Sequence, residues 1–143
     1  MTLPEKRITY FIHKHHILTL ATSANNIPYT CTCFYIYIDK LNIFVFTSDH
    51  GTRHVDEMLR QPMVSGAIAL ETTMIGKIQG IQFTGLSTEL GEDTYDKALS
   101  AYLKKFPLAT FKKLVLWGIQ PDFIKMTHNR LGFGTKLIWK HDS

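Results

Sequence analysis

Chemistry concentrates in one stretch of the chain, Thr47-Ser48-Asp49-His50-Gly51-Thr52-Arg53-His54. It reads as the end of a strand running into the N-terminus of a helix. There the first backbone N–H groups have no intrahelical partner and the helix dipole is positive, so a phosphate meets donors already aimed at it. Thr47, Ser48 and Thr52 add hydroxyls, His54 adds an imidazole, and Arg53 offers a fork of donors where lysine offers a point charge. The same spacing also suits a plain helix start, with Thr52 as N-cap and Arg53 and His54 solvated.

Other reactive residue types are weaker signals. His13, His15 and His16 with Cys31 and Cys33 are residues that zinc favours, but their spacing matches no known finger. They read as a surface or dimer-interface cluster, and no metal is expected. Cys31 and Cys33, two apart in a strand, share a face, which suits packing better than a disulfide. Nothing adjacent to them in sequence supplies the cation or helix end that makes a thiol reactive. Trp117, Phe133 and Trp139 fall at alternating strand positions and read as core; Glu71 and Glu89 read as solvated. There is no Ser/His/Asp arrangement, Walker loop or dinucleotide fingerprint.

The elements that position the opening stretch follow from periodicity. Thr2-Leu3-Pro4-Glu5 resembles a capping box, with Ile8, Phe11 and Ile12 at helical spacing behind it, so a helix is expected over about 3–14. Strands are expected over 17–22 and 29–38 around a turn at Ser23-Ala24-Asn25-Asn26, and over 43–47 after a turn at Asp39-Lys40-Leu41-Asn42. A helix from Arg53 to Gln61, with Val55, Met58 and Leu59 on one face, stops at Pro62. Strands over 64–71 and 75–90 follow, the second carrying bends at Gly76, Gly80 and Gly85, and then a helix over about 94–105. Closing strands are expected over 114–119, 123–127 and 136–139, separated by Gln120-Pro121-Asp122 and by Gly132-Phe133-Gly134. This order predicts an α+β, mainly antiparallel barrel with flanking helices rather than a βαβ fold.

The 143 residues read as one domain, 1–143, with 45% apolar and 20% charged residues as in an ordinary globular protein. No apolar run approaches the roughly 20 residues of a spanning helix, and no signal-peptide core opens the chain, so a cytoplasmic protein without membrane partners is expected. The net charge of +4 would suit a polyanion. However, lysines and arginines are scattered singly or in pairs, so a small anionic ligand is favoured over nucleic acid.

With that order in place, the chain resembles the pyridoxamine 5′-phosphate oxidase-like FMN-binding split barrels over nearly its whole length. The specific match is local. Members carry Thr or Ser at the end of the third strand, then a Ser/Thr-Arg-Lys triplet, then an apolar helix closed by Asn-Pro. Here these are Thr47-Ser48, Thr52-Arg53-His54, residues 55–59 and Gln61-Pro62. The resemblance implies a six-stranded, Greek-key-like split barrel, with Thr47, Ser48, Thr52, Arg53 and His54 on the FMN phosphate. His54 stands where the family has lysine, and a neutral imidazole donates one hydrogen bond and no charge, which weakens the hold on phosphate or makes it pH-dependent. The resemblance further implies that the isoalloxazine ring lies along Cys31, Thr32, Cys33 and Phe34. It also implies that Gln82 reaches the flavin of a partner subunit, in a homodimer with its cofactor sites at the interface. The Arg-x-His-type element that binds vitamin B6 phosphate is absent; Leu131-Gly132-Phe133-Gly134-Thr135-Lys136 stands at the closing end, so substrate residues do not carry over. The implied function is an FMN-dependent oxidoreductase acting on an unidentified small molecule, with no catalytic side chain assigned. The alternatives are a non-catalytic flavin or haem-related binding or sensing module, and a barrel that has lost its cofactor.

Overall fold

A computed structural model describes residues 2–142. In chain order the elements are α1 (Lys6–Lys14), β1 (Ile17–Ala24), β2 (Ile27–Ile38), β3 (Ile43–Thr47), α2 (Arg53–Arg60), β4 (Met63–Ala69), β5 (Gln79–Glu89), α3 (Glu92–Lys105), β6 (Leu116–His128) and β7 (Lys136–Lys140). Single 3₁₀ turns lie at Ile75–Lys77 and Asn129–Leu131, and a longer one at Pro107–Phe111.

All seven strands belong to one sheet in the order β3-β2-β1-β4-β5-β6-β7, and β3 pairs with β6 as well. That extra pairing closes six antiparallel strands into the expected barrel, and β7 is a seventh strand outside the ring. β6 is shared: Leu116–Ile119 lie against β3, whereas Phe123–Thr127 lie against β7. β2 is shared less evenly. Its last residues, Tyr35–Ile38, pair with five-residue β3, but Ile27–Phe34 have β1 on one side and no strand on the other among the described residues.

Local chemistry explains the joints. Asn25 and Asn26 both take positive φ (52° and 64°) and close the β1–β2 hairpin in two residues, a conformation asparagine tolerates. β3 does not alternate, because both its faces are covered. Phe44 and Phe46 enter the barrel core with Tyr35, Phe83 and Trp117, while Ile43 and Val45 pack in a second cluster with Ala98 and Tyr102 of α3. Ile8, Phe11 and Ile12 put α1 over the barrel.

Several expectations are corrected. The capping box is not formed: α1 begins at Lys6 after Glu5, without a side-chain cap, and the Thr2 hydroxyl donates to Asp142 instead. Residues 116–128 make one strand, not two, because Asp122 is accommodated as an extra residue where the register shifts opposite Thr84 and Gly85. Gly85 faces Pro121 there, and a Cβ on it would lie 2.5 Å from the Gln120 carbonyl oxygen. β5 starts only at Gln79, since Ile75–Lys77 turn. Leu59 is 61% exposed rather than on the inner face of α2; Glu57 takes a buried place beside Val55 and Met58. Trp117 and Trp139 are core, but Phe133 is 84% exposed between two positive-φ glycines, Gly132 and Gly134.

Candidate functional site

The loop between β3 and α2 is held from both sides. Thr47 pairs with Leu116, the Ser48 N–H donates to the Val115 carbonyl at 3.3 Å, and the Trp117 indole donates to the Ser48 carbonyl at 3.1 Å. Gly51 takes φ +92°, and the Asp49 carbonyl accepts from both the N–H and the hydroxyl of Thr52. Lys112 Nζ closes on the Asp49 carboxylate at 2.9 Å.

Thr52 occupies the N-cap position of α2, but its hydroxyl reaches back to Asp49 and makes no side-chain cap. The backbone N–H groups of Arg53, His54 and Val55 therefore have no acceptor among the described residues. Orphan donors at a positive helix end are what an anion completes.

Arg53 is fixed by its surroundings. Its Nε donates to Glu57 Oε2 at 3.0 Å, and its guanidinium lies 4.0 Å over the Tyr29 ring. Glu57 Oε1 accepts from the buried Thr22 hydroxyl at 2.8 Å. The Arg53 hydrogen bond, and then that of Thr22, hold the Glu57 carboxyl below the usual range. Only Nε of Arg53 is engaged within the protein, so the two terminal nitrogens keep their donors free among the described residues.

His54 Nε2 lies 2.6 Å from Ser48 Oγ. Cys31 and Cys33 do share a face, with Sγ atoms 3.9 Å apart and both thiols free. The Cys33 hydrogen bond and then the hydrogen bond and charge of His54 bring the Cys31 thiol down to about 5, against the opposing effect of burial. Cys33 is pushed up by Cys31 and by burial. The expectation that nothing beside these cysteines activates a thiol is thus overturned. The larger cause is Cys33 on the same strand face, and His54, distant in sequence and in the first turn of α2, adds to it.

The other assigned residues divide. Ser48, Arg53, His54 and Cys31 gather around the α2 N-terminus, and Thr32 and Phe34 point to the opposite side of β2, where Phe34 packs on Phe106. The Tyr35 N–H donates to the His16 carbonyl, so ladder alternation turns the backbone groups of Thr30 and Thr32 toward the strand-free edge. Gln82 lies away from the helix end. It lines a cleft of about 360 Å³ on the outer sheet face with Thr19, Thr30, Ser65 and Thr84. The histidines near α1 do not join the cysteines: His13 meets Asp39 at 2.6 Å, and His15 Nδ1 meets the Phe11 carbonyl at 2.8 Å.

Three residues escaped the sequence reading. Glu57 had a signal, the i,i+4 spacing from Arg53. Tyr29 had none, since only the barrel brings it to Arg53. His50 is paired with Glu89 at 2.9 Å and lies edge-on to Trp117, and with Leu90, Leu114 and Leu116 it lines an open cavity of about 790 Å³. Glu89 is exposed, as expected, and carries this ion pair.

No family model matches the chain. It is 37% identical over 133 residues to a UPF0306 protein of Yersinia pseudotuberculosis serotype O:3 (strain YPIII), covering 92% of this chain and 90% of that protein. Among solved structures, a heme binding protein from Mycobacterium smegmatis superposes with a TM-score of 0.76 at 15% identity, over 98% of this chain and 60% of that one. A pyridoxamine 5′-phosphate oxidase-related, FMN binding protein from Nostoc punctiforme superposes with a TM-score of 0.66 at 14% identity, over 96% and 85% of the two chains. These likenesses establish the split-barrel fold.

Proposed function

We propose that this chain, which belongs to the UPF0306 protein family, binds FMN at the N-terminus of α2 and works as a homodimeric flavin-dependent oxidoreductase on a small molecule. The observation that carries the reading is the open first turn of α2, where three backbone N–H groups have no acceptor among the described residues and only Nε of the Arg53 guanidinium is taken, by Glu57.

The residues present fit a phosphate. A dianion would take the N–H groups of Arg53, His54 and Val55 and the free nitrogens of Arg53, and Ser48, already bonded to His54, would complete the cradle. Glu57 offsets part of the Arg53 charge but also fixes its orientation. The strand-free edge of β2 offers the backbone groups of Thr30 and Thr32 to a planar ring. The outer face carrying Gln82 and small side chains suits a second copy of the chain, which would place Gln82 beside the partner's cofactor.

Bound flavin would supply the electron and hydride chemistry. The chain's own task is to hold and orient it and to keep water from the ring.

An absorption spectrum of the purified protein, followed by FMN titration, tests this. Oxidised-flavin bands, or saturable FMN binding, are expected, and bleaching by a reduced nicotinamide would mark an enzyme. A haem spectrum instead would mark the same fold serving the ligand of its Mycobacterium neighbour. A colourless protein that takes up neither would overturn the proposal.

A further inference from the structure

The scattered cations of the sequence are partly gathered by the fold. Arg7, Tyr10, Phe11 and Lys14 recur at helical spacing along α1, and this stripe faces the far end of β6, where Arg130 follows His128 in the next turn. Together these six residues line most of a cavity of about 310 Å³ that has no carboxylate in its wall. Trp117, at the Ser48 end of β6, is separated from His128 by most of that strand, on the order of 30 Å of extended chain. The cavity is therefore not part of the α2 site.

Its electrostatics are unbalanced. Arg7 is countered by Glu5 at 2.5 Å, outside the cavity wall. Lys14 has only the Tyr10 ring, 5.8 Å away, and Arg130 has no ion pair among the described residues. His128 also lines the cavity, and its Nδ1 is covered and without a hydrogen-bond partner. Covering a ring nitrogen without a partner is costly, as is holding several cations together, and an oxyanion relieves the second cost directly.

We propose that this cavity is a second ligand site, specific for the oxyanion of a small phosphate monoester. Arg7, Lys14 and Arg130 take the phosphoryl oxygens, the His128 imidazole donates one hydrogen bond, and the organic part lies against the exposed Tyr10 ring. A half-open cavity of this size admits a small phosphorylated molecule.

Titration of the full chain with phenyl phosphate, followed by amide chemical shifts, tests the site. Saturable shifts are expected at Arg7, Lys14, His128 and Arg130. Binding should weaken at least ten-fold in the Lys14→Ala, Arg130→Ala double variant, whose substituted side chains are exposed and leave the core intact. Arg53→Ala should retain it, which separates this site from the proposed flavin site. Absence of saturable shifts at these residues, or equal affinity in the double variant, would overturn the inference.

Discussion

The guanidinium of Arg53 lies 4.0 Å over the ring of Tyr29, and this contact joins the first turn of α2 to the strand-free edge of β2. A stacked arginine keeps its charge and loses freedom to swing away. If the proposed anion site is right, the pair preorganises it.

Removing the charge should cost most. Arg53→Ala is expected to weaken FMN binding by about 1.5–3 kcal/mol, as for a charge-assisted hydrogen bond, measured by flavin fluorescence quenching. Tyr29→Leu should cost less, about 0.5–2 kcal/mol, because the charge remains and only its anchoring is lost. Unchanged affinity in both variants would mean that the anion site lies elsewhere.

The Cys31 thiol should alkylate as a thiolate in mildly acidic solution. Iodoacetamide labelling, read by mass spectrometry, is expected to rise through about pH 5 and to be level by pH 7. His54→Ala and Cys33→Ala should each move that midpoint upward, Cys33→Ala further, since its hydrogen bond is the larger cause. A wild-type midpoint near the ordinary cysteine value of about 8.5 would sink this assignment.

Glu57 should make stability fall in acid. Its folded-state pKa lies below the unfolded value, so its stabilisation is complete above the ordinary glutamate range and is lost as pH falls through the lowered value. Glu57→Gln should lower the melting temperature at pH 7 and flatten its dependence on pH between 5 and 3. Equal slopes in the two proteins would show that the Arg53 and Thr22 contacts do not hold the carboxylate.

Gly85→Ala tests the register shift in β5 and β6. The added methyl would meet the Gln120 carbonyl oxygen at 2.5 Å, so backbone must move. A loss of about 1–3 kcal/mol in denaturant unfolding is expected, typical of overpacking. A neutral substitution would mean that the two strands are more loosely apposed than described.

Much of the fold was legible because its signals are local. Alternating apolar residues, the Asn25-Asn26 turn and the proline after α2 act within a few residues. The strand at 116–128 was misread because Pro121 signals a break locally, whereas its accommodation depends on Gly85 in another strand. Leu59 was misplaced for a similar reason: apolar spacing favours it, but Glu57 can be buried once Thr22 and Arg53 satisfy both its oxygens. At the site, the hydroxyl and arginine pattern could be read directly. The Cys31–His54 relation could not, since it exists only after the barrel brings β2 against α2.

The open edge of β2 carries a hazard as well as an opportunity. An unpaired strand edge is a template for edge-to-edge association between molecules. Residue 28 in that edge is proline, and alternation points its missing N–H outward, in line with Thr30 and Thr32. A foreign strand approaching there would find the ladder of donors interrupted at its start.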